Sequence, residues 1–129
     1  MTTKWLSFLK EEFLISINKC SNNLISGPDR LSWRHLKVIT KNLACLANII
    51  NLANICINLG HWPSHFKLSM SIIIPKSNKA LYDASKMFRP IVLLNMLSKL
   101  IEKVIGKKLQ FQALSKNMIH PCQLGGLKQ

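Results

Sequence analysis

Acidic side chains are what this 129-residue sequence has least of: five Asp and Glu stand against eighteen Lys and Arg, a formal net charge of +13. The five are Glu11, Glu12, Asp29, Asp83 and Glu102. Glu11 and Glu12 are adjacent and splay about 100° apart on a helix, and the others fall in three different segments. A carboxylate cluster, whether for acid–base work or for clamping metal ions, is therefore excluded. The cysteines Cys20, Cys45, Cys56 and Cys122 form no C-x-x-C pair, so they are expected to be free thiols in a reducing, intracellular compartment, nucleus or cytoplasm. No Ser sits in a Gly-flanked strained turn, and there is no P-loop or dinucleotide fingerprint. His61 and His65 have a usable ligand spacing, but Pro63 lies between them and breaks the helix that would align them, so no metal site is expected.

No secretory signal is expected, because the apolar stretch Trp5–Leu9 is cut short by Lys10-Glu11-Glu12. Residues 42 to 66 carry no formal charge, yet Asn48, Asn51, Asn54 and Asn58 recur at helical spacing. That amide stripe marks an amphipathic helix packed in protein rather than a membrane span.

What is present is an apolar fraction of 48%, enough for one domain with a core. Trp5, Leu9, Phe13 and Ile17 space a helix over 4–18, a docking helix within an N-terminal segment 1–26. Ser26-Gly27-Pro28-Asp29 reads as a turn with a helix start behind it. Residues 31–59 read as two helices with a bend near Thr40 to Asn42, stopped by Gly60 and Pro63. Ser69–Ile74 and Arg89–Leu94 read as two short strands around a basic loop, an antiparallel hairpin. Asn95 is placed as the N-cap of a helix whose apolar stripe, at 97, 100, 101, 104 and 105, faces protein; Lys99, Lys103 and Lys107 line another face, directed at solvent or phosphate. The fold expected is α+β, mainly helical, with a small hairpin. The tail from Asn117 is expected to be irregular.

Between Phe66 and Lys116 there are ten basic residues and two acidic ones. A positive field so concentrated points to a polyanion, nucleic acid first. Arg89 stands out because Arg is rare here and Pro90 fixes its backbone direction.

The ordered set of motifs resembles the reverse transcriptase domain of non-LTR (LINE-like) retrotransposons. It comprises Gly27-Pro28-Asp29, Leu31-Ser32-Trp33-Arg34-His35-Leu36-Lys37, Gly60-His61-Trp62-Pro63-Ser64-His65-Phe66-Lys67, Ile73-Ile74-Pro75-Lys76, Phe88-Arg89-Pro90-Ile91, Leu97-Ser98-Lys99-Leu100-Ile101-Glu102-Lys103 and Gln123-Leu124-Gly125-Gly126. Order and spacing match over roughly residues 5 to 127, nearly the whole chain. The resemblance implies that 27–129 is a partial reverse transcriptase domain, the fingers of a right-hand polymerase and the start of its palm. It implies that Lys76 and Arg89 contact the triphosphate of the incoming nucleotide, and that RNA template and DNA primer are partners. Lys67, Lys79, Lys99, Lys103 and Lys107 become candidates for strand-backbone contacts. Gly27, Pro28, Asp29, Pro90 and Gly125 become structural motif residues, Asp29 as a helix-start cap rather than a metal ligand.

The family's metal-binding aspartates lie beyond the Gln-Leu-Gly-Gly segment, so Mg2+ is expected only in the full-length enzyme and this fragment is not expected to polymerise alone. Ile25-Ser26 replaces the small residue and proline that commonly precede the Gly-Pro-Asp turn. Two other readings stand beside this one: a self-contained basic helical module that binds RNA or DNA, and a transposon remnant without function.

Overall fold

The structure is a computed structural model and describes residues 7–78, 80–120, 122 and 123. Five helices and one two-stranded sheet follow in the order α1 (Lys10–Asn18), α2 (Trp33–Ile39), α3 (Leu43–Leu59), α4 (Ser64–Lys67), β1 (Ser69–Pro75), β2 (Phe88–Leu94) and α5 (Met96–Ser115). The fold is α+β and mainly helical, as the residue pattern predicts.

Helix α1 begins at Lys10, later than its apolar spacing suggests, because the preceding amides are already committed. Phe8 N donates to Asn54 Oδ1 (2.9 Å) and Leu9 N to Glu12 Oε2 (2.8 Å). The bend between α2 and α3 measures 113°. It arises where Thr40 Oγ1 donates back to the Leu36 carbonyl (2.7 Å) and Asn42 Oδ1 starts a new helix by accepting from Ala44 N and Cys45 N. Gly60 ends α3 in the left-handed conformation, φ +60°, with His61 N returning to the Cys56 carbonyl (3.1 Å). Of the asparagine stripe, Asn48, Asn51 and Asn58 face solvent, while Asn54 anchors the segment entering α1. Among the described residues no single helix is long and apolar enough to cross a membrane.

The core lies between α1, the α2–α3 corner and the first three turns of α5. Phe13, Ile17, Leu46, Met96, Leu100, Ile101 and Val104 are its largest fully buried hydrophobic members, with Trp33, Leu36 and Phe66 around them. Phe8 packs edge-on against Phe13 (5.9 Å between centroids) and Trp62 against Phe66 (5.5 Å). An open apolar groove of about 690 Å³ runs between α1 and the second half of α5, with Leu9, Ile15, Val104 and Phe111 in its walls.

The hairpin behaves differently from the helices. Strands β1 and β2 pair antiparallel, Ser69 with Leu94 through Pro75 with Phe88. A two-stranded ribbon has no layer across it unless a helix supplies one, and here both faces stay open: Ile73 is 68% exposed on one and Ile91 40% on the other. Only the base of the arm, at Leu93 and Leu94, is drawn into the helical body.

Replacing Leu100 with Ala removes a fully buried side chain at the centre of α5, and urea unfolding is expected to show a loss of about 2–5 kcal/mol; Leu100→Asp is expected to abolish the helical circular dichroism. Burial raises the pKa of the Cys56 thiol, so the neutral form is favoured in the folded protein. At about pH 8, iodoacetamide should therefore modify exposed Cys122 well before Cys56; equal rates would contradict this packing.

Candidate nucleic-acid interface

The hairpin joins α5 at Leu94-Asn95-Met96, and the Gly27-Pro28-Asp29 turn is pressed onto that junction. A Cβ at Gly27 would overlap the Leu94 carbonyl, so only glycine permits the approach. The turn closes with Arg30 N donating to the Gly27 carbonyl (3.0 Å), and Arg30 takes φ +55°. Asp29 then spends its carboxylate on backbone: Oδ1 accepts from Leu31 N (3.2 Å) and Oδ2 from Met96 N (2.7 Å). It is a helix cap, but of α5, 67 residues later in the chain, rather than of the helix that follows it.

Helix α2 is capped instead by Ser32, whose amide and hydroxyl meet His35 Nδ1 at 3.0 and 2.8 Å. Asn95 occupies the position before α5 without capping it. Its Oδ1 accepts from Asp29 N (3.2 Å) and its Nδ2 donates to the His65 carbonyl (2.8 Å), which corrects the N-cap role expected of it. The two side chains thus exchange duties: Asp29 serves the backbone of α5, and Asn95, 2% exposed, serves the backbone of the turn. No local sequence signal links them.

At the far end of the arm, Lys76 continues the ladder, its amide donating to the Met87 carbonyl (2.8 Å). With Ile74 opposite Arg89 and Lys76 opposite Met87, Lys76 and Arg89 are diagonal neighbours on one face of the ribbon. Pro90, opposite Ile73, falls between hydrogen-bonded pairs, where its missing N–H disturbs nothing. The Lys76 ammonium donates to the Lys86 carbonyl (2.6 Å), and Tyr82 Oη donates to the Lys76 carbonyl (2.8 Å), closing the connecting loop; sequence reasoning missed Tyr82. The Arg89 side chain is exposed and makes no hydrogen bond or ion pair among the described residues. Lys67 is exposed on α4, while Lys79 and Gly125 lie outside the described residues.

The lysine row of α5 turns inward. Lys99 Nζ donates to the Ile25 carbonyl (3.3 Å), Lys103 Nζ to Cys20 Sγ (2.8 Å) and Lys107 Nζ to Ser16 Oγ (2.8 Å), so the row expected to face solvent or phosphate braces α1 and the segment after it. Lys103 also stands over the Trp33 ring, 5.6 Å from its centroid. Lys108 completes the seam with Ser7 O (2.9 Å) and Glu12 Oε2 (3.3 Å). The cause is the chain running antiparallel past α5: Ser16, Cys20 and Ile25 meet Lys107, Lys103 and Lys99 in reverse order. Aliphatic stems cover apolar surface while the ammonium groups find carbonyl, thiol and hydroxyl partners.

The carboxylates do not fit a two-metal centre. Both Asp29 oxygens hold amides, Glu12 is taken by Leu9 N and Lys108, Glu102 accepts from Ser98 Oγ (3.1 Å), and Asp83 lies in the exposed loop of the hairpin. Among the described residues no three His, Cys, Asp or Glu side chains gather as a metal site requires.

The chain matches no protein-family model, and it matches none of the curated proteins with which it was compared.

Asp29→Ala strips the cap from the first amide of α5 and should lower stability by about 1–2 kcal/mol in urea. Asn95→Ala should cost a similar amount. Their double mutant should fall short of the sum, because the two side chains serve one junction; full additivity would show that they act independently.

Proposed function

We propose that this chain is the fingers portion, with the start of the palm, of a non-LTR retrotransposon reverse transcriptase. In this reading Lys76 and Arg89 hold the triphosphate of the incoming nucleotide. The observation that carries it is their juxtaposition on one face, at the open end of an exposed arm whose base is clamped to the helical body. It is supported by the ordered motif set in the sequence, from Gly27-Pro28-Asp29 to Gln123-Leu124-Gly125-Gly126.

The two cations suit the task in different ways. Arg89 offers a planar fork for phosphate oxygens. Lys76 has three N–H donors, of which the Lys86 carbonyl takes one. Together they would neutralise charge on a transferring phosphoryl group. Template RNA and primer DNA are the partners the reading supplies, and it gives Lys67, exposed on α4, a strand-backbone contact. The part these residues play is binding and orientation. The five carboxylates are dispersed, so no step of nucleotidyl transfer is assigned to them.

Arg89→Ala and Lys76→Ala should each weaken binding of a deoxynucleoside triphosphate roughly tenfold to a hundredfold, the scale of one charge-assisted hydrogen bond. Their helical circular dichroism should be unchanged. Titration by calorimetry at low salt decides it. Undiminished affinity in folded Arg89→Ala would overturn the role, and single-stranded RNA binding without triphosphate binding would favour a self-contained nucleic-acid module.

A further inference from the structure

We infer that Cys20 and Lys103 form an oxidative cross-linking site, at which hydrogen peroxide oxidises the Cys20 sulfur and the Lys103 amine captures it in a covalent S–N bond, a sulfenamide. The inference does not rest on the triphosphate reading of the hairpin tip.

Both partners are held from several sides. Lys103 Nζ stands 2.8 Å from Cys20 Sγ, a separation usual for the smaller oxygen acceptor, so nitrogen and sulfur are in direct contact. Cys20 lies just beyond α1, where its amide donates to the Ile17 carbonyl (3.1 Å), its Sγ to the Ser16 carbonyl (3.1 Å), and its own carbonyl accepts from Lys37 Nζ (2.7 Å). Lys103 is steadied by the Trp33 ring beneath it. Among the described residues no carboxylate pairs with the Lys103 ammonium, and no other cysteine sulfur meets a lysine nitrogen.

Burial decides which reaction follows. Cys20 is 4% exposed and Lys103 half-buried. Hydrogen peroxide, little larger than water, can reach a sulfur that bulky thiols cannot. The sulfur attacks one peroxide oxygen: an S–O bond forms, the O–O bond breaks, and the departing hydroxide leaves as water with the thiol proton. Sulfur is thereby oxidised to a sulfenic acid and the peroxide reduced. Sulfenic acids condense with thiols or with nitrogen, and here a nitrogen is already in contact, an advantage no dissolved nucleophile has. Lys103 gives one proton to solvent and attacks the sulfur. The S–N bond forms as the S–O bond breaks, and the hydroxyl leaves as water with a second nitrogen proton. No further oxidant is consumed. A dithiol reverses the bridge, returning thiol and amine as it closes to its own disulfide.

The bridge joins positions 83 apart in sequence, fastening the end of α1 to α5 around α2, α3, α4 and the hairpin. Closing so long a loop constrains the unfolded chain and raises thermal stability.

The test is to add hydrogen peroxide to the folded protein, block the remaining thiols and analyse tryptic peptides by mass spectrometry without reduction. Residues 20–30 should be found joined to residues 100–107, with cleavage after Lys103 suppressed and the mass two hydrogens below the sum of the two peptides. Dithiothreitol should release them, and the treated protein should melt at a higher temperature before reduction than after. Peroxide added in urea should give no such pair. Lys103→Arg keeps the positive charge, but a guanidinium does not give up its proton. The folded variant should therefore stop at a Cys20 sulfenic acid, captured by dimedone.

A Cys20 that stays a thiol at a peroxide dose that fully oxidises exposed Cys122 would overturn the inference. So would an unbridged sulfenic or sulfinic acid at Cys20 in the unaltered protein, a bridge to an amine other than Lys103, or an equal yield of the joined peptides in urea.

Discussion

The structure turns on an exchange of hydrogen bonds across 67 residues, in which the Asp29 carboxylate takes the Met96 amide and the Asn95 amide side chain takes the Asp29 backbone. The first amides of any helix lack intrahelical partners. At α5 that need falls at the point where an exposed two-stranded arm leaves the body of the protein. Gly27 permits the contact by having no Cβ, and the His65 carbonyl ties in the segment leading to β1 through Asn95 Nδ2. Three separate stretches of chain are thereby fixed to one junction. Since the arm is otherwise open on both faces, that junction sets where its tip, with Lys76 and Arg89, stands relative to the helices.

Scarcity of carboxylates shapes the rest. A protein with eighteen cations and five acids cannot neutralise its lysines in ion pairs, and Lys108 with Glu12 is the one such pair among the described residues. The chain places lysines against neutral acceptors instead. Along α5 this makes a seam that holds α1 in place, and around Cys20 it sets the Lys37, Lys99 and Lys103 ammonium groups against carbonyl, amide and thiol acceptors. The same side chains can therefore serve packing and electrostatic attraction at once. Asp29, engaged with two backbone amides, and Glu12, shared by Leu9 N and Lys108, are acids committed to structure.

Much of the fold was legible in the residues. The 3.6-residue spacing of Phe13 and Ile17, the break at Thr40–Asn42, the stop at Gly60 and the β-branched run before Pro75 each report a local preference that tertiary packing left standing. Other features were not legible, for physical reasons. An i, i+4, i+8 row such as Lys99, Lys103 and Lys107 states that three side chains share a face, but not what that face meets; the partner is α1, through Ser16, and the segment after it, through Cys20 and Ile25. Asn95 has the right chemistry and position for a cap, yet a competing acceptor from a distant turn displaces it. The apolar run Ile72-Ile73-Ile74 reads as a strand, but how far it is exposed depends on a covering layer that no local pattern encodes. Of the candidate site, the nearness of Lys76 and Arg89 followed from the hairpin reading, while the inward partners of Lys99 and Lys103 required the path of residues 20–25.

The most direct measurement is amide hydrogen exchange at Met96. This N–H precedes the first intrahelical hydrogen bond of α5, and without the Asp29 carboxylate it would have no partner. The account predicts protection close to that of the core amides of Leu100 and Ile101, lost in Asp29→Ala. Rapid exchange at Met96 in the unaltered protein, with the rest of α5 protected, would contradict it.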